Sequence, residues 1–244
     1  MNVCTKVYKT VNNLKHISLF KGCESAFFDE LETQGQSLTC PKGRILFISG
    51  EQADRFYYIK SGWVKLFRET LDGTQAVVDI LPAGHVFGET SIFSNNNYPY
   101  SAEVVESAEV IALPTLVLKT EVENNNKLAL NMLNHMARYR AQQDKEIEHL
   151  SIQNASQRIG CFLLSLAKQD SVGATTIRLP YDKTLVASRL GMQPETFSRA
   201  LAKLRDKTGI QVNGATINVD NLKQLSSYSC AACSSEFPCK NLKA

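Results

Sequence analysis

Three cysteines near the end of the chain have the spacing of a metal-binding or redox motif. Cys230, Cys233 and Cys239 form the pattern Cys-x2-Cys-x5-Cys. Close thiolates of this kind can hold zinc or an iron–sulfur cluster. The spacing does not choose a fourth ligand, and a carboxylate or any other cysteine could serve. The other cysteines are Cys4, Cys23, Cys40 and Cys161. The alternative is a tail whose thiols bind nothing.

A second set of residues has the chemistry needed to read base edges in a duplex. Residues 182–207 predict two helices joined by a three-residue turn, Gly191-Met192-Gln193. Near the start of the second helix, Glu195, Ser198 and Arg199 are predicted to face outward. Arginine donates two hydrogen bonds to guanine, glutamate accepts one from cytosine, and serine can serve either role. The inward positions of that helix are apolar: Phe197, Leu201 and Leu204.

Basic residues are concentrated in the same part of the chain. Residues 155–228 contain ten Lys or Arg and five Asp or Glu, whereas residues 1–154 contain fifteen basic and eighteen acidic residues. A basic segment in an otherwise acidic chain indicates contact with a polyanion. The predicted phosphate contacts are Lys183, Arg189, Lys203, Arg205 and Lys207.

The segment before the helices is typical of a β-roll. Short runs rich in β-branched and aromatic residues alternate with glycines between residues 44 and 113. Asp72-Gly73, between two such runs, predicts a hairpin. We therefore predict a β-roll sensor domain over residues 1–120, with an interior that could hold a small ligand.

A long helix is predicted to follow, over residues 121–153. Its apolar stripe advances in steps of three and four residues and is narrow enough for a contact between two helices in a dimer. Packing against its own domain is the alternative. The stripe consists of Ala129, Met132, Met136, Tyr139, Gln143, Ile147 and Leu150.

The remaining elements predict a winged helix-turn-helix over residues 154–228, followed by a cysteine-containing tail, 229–244. A strand ending at Pro180 precedes the two short helices, and Asn213-Gly214 predicts the hairpin of the wing. The fold class is therefore α+β: an N-terminal β-roll, a long dimerisation helix and a C-terminal winged helix-turn-helix.

This order of elements resembles the CRP/FNR family of bacterial regulators from about Leu14 to Tyr228. The resemblance implies that the N-terminal β-roll is cyclic-nucleotide-binding-like. The run Gln193-Pro-Glu-Thr-Phe-Ser-Arg199 is similar to the recognition helices of the FNR and DNR branches. The resemblance implies a homodimer that binds palindromic double-stranded DNA with TTGAT-type half-sites. It also implies contact with RNA polymerase if the protein is an activator.

Phe87-Gly-Glu-Thr-Ser91 and Ser101-Ala102 resemble the phosphate-binding cassette of cyclic-nucleotide domains. In members that bind cyclic AMP, a Gly-Glu pair holds the ribose and an arginine before Ser-Ala holds the phosphate. Here Gly88 and Glu89 are present, but Tyr100 stands before Ser101. Without that cation a buried phosphate is costly, so we predict a degenerate effector cassette that does not bind cyclic AMP.

The resemblance instead implies an oxygen or nitric oxide signal. The cysteine spacing is similar to that of FNR oxygen sensors, in which the motif lies at the N-terminus. The cofactor is predicted to be an iron–sulfur cluster, with haem or no cofactor as alternatives. For haem, which the DNR resemblance suggests, the possible axial ligands are His16, His85, His135 and His149.

Other functions find little support in the residues. There is no nucleophile–base pair, no HExxH and no phosphate-binding glycine loop, so we predict that the protein is not an enzyme. There is neither a transmembrane segment nor a signal peptide, which predicts a cytoplasmic protein without membrane contact, whose cysteines do not form disulfides. The alternative function is a ligand-binding signalling module without a direct DNA role.

Overall fold

Two segments of the chain each bury their own hydrophobic core: Met1–Ala137 and Arg138–Ala244. The structure is a computed structural model that describes residues 4–7, 14–167, 174–179, 183–234, 237 and 239. The division falls inside the long helix, whose first part belongs to the first unit. No helix among these residues is long and apolar enough to cross a membrane.

The first unit is the predicted β-roll. Its sheet has the order β1-β2-β7-β4-β5, with β3 on β7 and β6 on β4. The strands are β1 Thr5–Val7, β2 Gln36–Cys40, β3 Ile45–Phe47, β4 Arg55–Glu69, β5 Gln75–Pro82, β6 Val86–Phe87 and β7 Ser101–Pro114. The helices are α1 Ser25–Gln34, α2 Thr115–Asn124 and α3 Asn126–Ile152, of which α3 continues into the second unit.

Strand β4 joins two runs that the sequence separates at Ser61-Gly62. The chain does not turn there but forms an irregularity in the pairing with β7. Gly62 has φ +82°, and a Cβ at this position would clash with the Ser107 carbonyl oxygen. Glycine is therefore required for close approach of two backbones rather than for a turn. The predicted Asp72-Gly73 hairpin is confirmed between β4 and β5.

A disulfide joins Cys4, just before β1, to Cys40 at the end of β2. The sequence-based expectation that the cysteines stay unpaired is wrong for these two. The antiparallel pairing of Thr5 with Thr39 brings the neighbouring residues together. The remaining five cysteines are not disulfide-bonded.

The long helix carries a different exposed stripe from the predicted one. Met132 is buried in the core of the first unit with Leu128, against residues of the N-terminal segment and α1. It therefore cannot form part of a seam between protomers. The large apolar side chains that α3 exposes are Leu130, Leu133, Met136, Ile147, Leu150 and Ile152.

The second unit has the predicted winged helix-turn-helix elements. A three-stranded sheet of order β8-β10-β9 accompanies four helices. The strands are β8 Thr175–Arg178, β9 Gln211–Asn213 and β10 Thr216–Val219; the helices are α4 Ala155–Leu166, α5 Lys183–Arg189, α6 Pro194–Thr208 and α7 Leu222–Ser229. The sequence did not predict α7, which packs against α4 and α6 and leads into the cysteine tail.

Candidate functional site

Helices α5 and α6 form the predicted helix-turn-helix. Gly191 adopts φ +63° in the turn, where the amide of Met192 donates to the Ala187 carbonyl at 3.0 Å. The fully buried Ala187 lets the helices approach, and Phe197 packs into the core of this unit. The turn geometry therefore follows from a small residue, Ala187, and a glycine four positions later, Gly191.

The first two turns of α6 present the predicted base-reading residues to the outside. Glu195, Ser198 and Arg199 are all exposed, and the Ser198 hydroxyl donates to the Pro194 carbonyl at 3.0 Å. Pro194 occupies the first helical position, where no backbone donor is lost. The N-terminal end of a recognition helix is the part that reaches base edges in the major groove.

The predicted phosphate contacts are not equivalent in the structure. Lys183, Lys203, Arg205 and Lys207 are exposed, although Arg205 pairs with Asp206 at 3.1 Å. Arg189 instead forms two hydrogen bonds to the Glu146 carboxylate of α3, one of them at 3.2 Å. Its guanidinium therefore links α5 to the long helix, a role that the sequence analysis missed because the residues are 43 positions apart.

Polar groups of the effector cassette in the β-roll make hydrogen bonds and an ion pair with other groups of the protein. The Gly88 amide donates to the Tyr100 hydroxyl at 3.3 Å, and the Ser101 hydroxyl accepts from the Ser49 amide at 3.0 Å. One Glu89 oxygen lies 3.3 Å from His135 Nε2, while the other is buried without a hydrogen bond. The groups that would hold a nucleotide thus already have partners, apart from one carboxylate oxygen.

Aromatic rings fill the interior beside this cassette. Phe47 stacks on Tyr98 with ring centroids 3.7 Å apart and lies 5.6 Å from Tyr57, which stacks on Phe87. Burial raises the pKa values of Tyr57 and Tyr98, so both phenols stay neutral. The roll interior predicted as a ligand space is packed with side chains here.

Each histidine considered as a haem ligand contacts another side chain or a carbonyl. His16 Nε2 lies 2.8 Å from the Tyr58 hydroxyl, and His85 Nδ1 lies 3.2 Å from a backbone carbonyl oxygen. His135 faces Glu89, and His149 Nε2 lies 3.6 Å from Cys233 Sγ. Each of the four histidines therefore already has a partner within the protein.

The cysteine tail is held against the last turns of α3. The Ser234 amide donates to Glu148 at 2.8 Å, and its hydroxyl accepts from Lys145 at 2.6 Å. Lys145 also pairs with Glu148 at 2.8 Å. These hydrogen bonds, first that from Lys145 and then that from the Ser234 amide, lower the pKa of Glu148 to about 2. The tail and the helix-turn-helix thus both contact one stretch of α3, residues 145–149.

Two family profiles match the chain, one in each unit. The Cyclic nucleotide-binding domain matches residues 37–125, and the Crp-like helix-turn-helix domain matches residues 157–228. These ranges contain the effector cassette and the exposed start of α6, respectively.

The relatives cover most of the chain. The CRP-like cAMP-activated global transcriptional regulator of Mycobacterium tuberculosis is 26% identical over 215 residues, which are 87% of this chain and 96% of the relative. The nitrogen fixation regulation protein FixK of Rhizobium meliloti is 30% identical over 74% of this chain and 81% of its own length. A crystal structure from Ruegeria pomeroyi, of a protein named for cyclic nucleotide binding, is 33% identical. It covers 88% of this chain and 96% of that one, with a TM-score of 0.65.

Proposed function

The chain belongs to the CRP/FNR family of DNA-binding transcription regulators, which are not enzymes, and on this basis we propose that it is a cytoplasmic regulator controlled by a redox or gas signal. Specifically, a homodimer would read TTGAT-type half-sites through Glu195, Ser198 and Arg199. The observation that carries this proposal is the exposure of these three side chains at the start of α6. The matching helix-turn-helix profile favours it over a signalling module without a DNA role.

The apolar stripe of α3 supports a dimer. Leu133 and Met136 in the first unit are 62% and 40% exposed, and Ile147 and Leu150 in the second are 60% and 53% exposed. Their spacing follows the helical repeat, so they form a stripe along one face of α3. Packing of this stripe against the same stripe of a second copy would bury the apolar side chains of both helices. Two copies would then present two recognition helices to a palindrome. An activator would in addition contact RNA polymerase.

The signal is proposed to be oxygen or nitric oxide rather than cyclic AMP. One relative is named as cAMP-activated. In this chain, however, Tyr100 stands where cyclic-AMP-binding members have the phosphate-binding cation, and its hydroxyl accepts a hydrogen bond from the Gly88 amide. A phosphate there would displace Tyr100 and gain no countercharge from that position. The cysteine tail is the alternative receptor, with Cys230, Cys233 and Cys239 as ligands of an iron–sulfur cluster. A haem-bound or cofactor-independent response remains the second possibility from the sequence.

The experiment measures DNA affinity under controlled gas conditions. Anaerobically purified protein is titrated onto a labelled TTGAT palindrome under anoxic, oxic and nitric oxide-treated conditions, with and without cyclic AMP. We expect binding whose affinity changes with the gas and not with the nucleotide. Affinity that rises with cyclic AMP and ignores the gas would refute the proposed signal. The variant Tyr100→Arg serves as control, since it restores a cation to the cassette.

A further inference from the structure

The helix-turn-helix is attached to the long helix at two points. Arg189, in the last turn of α5, donates hydrogen bonds from both terminal nitrogens of its guanidinium to the two oxygens of the Glu146 carboxylate. Gly191, in the turn after α5, packs against Leu150, because a Cβ on this glycine would lie 3.2 Å from Leu150 Cδ2. Glu146 and Leu150 are neighbours on one face of α3, one helical turn apart. These two contacts together are called the α3–α5 brace.

The brace acts on the recognition helix as well as on α5, because the two helices share a core. Val186 and Ala187 of α5 are buried in one cluster with Phe197 of α6. Within the turn, the Gly191 amide donates to the Ser188 carbonyl at 3.1 Å. Holding α5 and the turn against α3 therefore also fixes the direction of α6 relative to the part of α3 that belongs to the second unit.

The covalent connection from α3 to this core is a short junction. Helix α3 ends at Ile152 and α4 begins at Ala155, with Gln153 and Asn154 between them. Asn154 has an extended backbone, with φ −72° and ψ 165°, so the two helices are not continuous. Rotation about a few dihedral angles at the end of an element is the usual basis of a hinge. The brace spans this junction from α3 to α5, so it limits that rotation.

The ion pair of the brace is a stronger constraint than a fully exposed pair. The Arg189 side chain is 17% exposed and that of Glu146 is 35% exposed, so water and salt screen their charges less than at the open surface. Two parallel hydrogen bonds between a guanidinium and a carboxylate also define a direction, which a single hydrogen bond does not. The Leu150 contact adds a second point, and two points fix an angle between helices.

We propose that Glu146 is a positioning residue that, through Arg189, sets the distance between the two half-sites that the dimer accepts. This inference rests on the dimer and palindrome proposed above and deepens that proposal. The exposed stripe that would join the protomers includes Ile147 and Leu150, so it lies on the segment of α3 that carries the brace. A fixed angle between α3 and α6 in each protomer fixes the separation of the two recognition helices. Each base pair added between half-sites moves one of them by about 3.4 Å and turns it about the DNA axis.

The test measures Kd by fluorescence anisotropy on TTGAT palindromes that differ only in the spacer between the half-sites. Full-length wild type should bind its preferred spacer at least about tenfold more tightly than a spacer roughly two base pairs longer. Glu146→Gln should bind the two within about threefold, because the amide keeps the size of the side chain but loses the charge and one acceptor. Asp144→Asn is the matched control, since Asp144 loses the same charge from α3 but pairs with Arg140 of the same helix.

An exchange of charges tests whether Glu146 acts through Arg189. Glu146→Arg and Arg189→Glu should each lose the spacer preference, and the double variant should regain it. The comparison uses the ratio of affinities for two spacers, because loss of a cation near DNA weakens binding to both equally. Melting followed by circular dichroism identifies the folded variants. If the double variant does not fold, Arg189→Gln must lose the preference as Glu146→Gln does.

A folded Glu146→Gln that keeps the wild-type ratio overturns the positioning role, as does an Asp144→Asn that loses the ratio equally. A folded double variant without the preference overturns the route through Arg189. Wild type that binds TTGAT palindromes equally at every spacing overturns this inference and leaves the proposed function standing. Wild type that binds none of these palindromes overturns both.

Discussion

Replacing Arg199 by alanine should change which DNA sequences the protein prefers while leaving its fold intact. Arg199 is exposed on α6, and among the described residues its guanidinium makes no ion pair. The neighbouring Ala200 and Leu201 carry the packing of this turn and are buried. The substitution therefore removes hydrogen-bond donors from the surface without opening a cavity, and its effect should appear in binding and not in stability.

The magnitude follows from the chemistry of a bidentate contact. Loss of an arginine that binds guanine costs about 1–3 kcal/mol at that base pair, which is roughly 5- to 160-fold in Kd. A dimer on a palindrome makes the contact twice, so the whole site should lose about 2–6 kcal/mol. The loss should vanish on DNA in which the guanine has been replaced in both half-sites.

Fluorescence anisotropy on the two palindromes measures this directly. Wild type should prefer the guanine-containing palindrome, and Arg199→Ala should bind both with similar affinity. Lys203→Ala is the matched control on the same helix, because loss of a phosphate contact weakens binding to both sequences equally. It should lower the salt slope by about two, one for each protomer of the dimer. If Arg199→Ala weakens both palindromes by the same factor and still prefers guanine, Arg199 does not read that base.

Three further predictions concern stability and the tail. Phe197→Ala should lower the free energy of unfolding of the second unit by about 3–5 kcal/mol in urea denaturation, because the ring is 2% exposed in its core; a loss below 1 kcal/mol would contradict this packing. The folded-state pKa of Glu148, about 2 against an ordinary 4.5, means that its contacts with the tail stabilise above about pH 4.5 and are lost as the pH falls through about 2. The NMR chemical shift of the Ser234 amide should titrate with the pKa of Glu148, and a midpoint near the ordinary glutamate value of 4.5 would count against this contact. Reducing Cys4–Cys40, which closes a loop of sequence separation 36, should destabilise the first unit by up to about 4 kcal/mol in calorimetry. A Cys4→Ser, Cys40→Ser double variant should be insensitive to reductant, and equal sensitivity in both proteins would rule the bridge out as the cause.

The cysteine tail and the helix-turn-helix both contact one short segment of α3 in the second unit. Lys145, Glu148 and His149 face the tail, while Glu146 binds Arg189 of α5. These α3 residues lie within little more than one helical turn. A change in the tail and a change in the orientation of α5 therefore act on the same segment, which is the physical requirement for coupling between two sites.

Local patterns in the sequence determined the element types and the exposed face of the recognition helix. The turn at Gly191, the proline at the start of α6 and the apolar spacing of Phe197 each depend on residues within a few positions of one another. Backbone freedom, missing donors and helical periodicity act over that range. The Asp72-Gly73 hairpin could be predicted for the same reason.

Only the tertiary structure shows which residues the side chains of α3 and α5 contact. The periodicity of α3 shows that Met132 is apolar, but only the core of the first unit shows that it is covered there and not in a dimer. Arg189 looks like a phosphate contact until the fold brings Glu146 to it. A sequence pattern records how residues are spaced along the chain, and contacts between distant residues depend on how the elements pack in three dimensions.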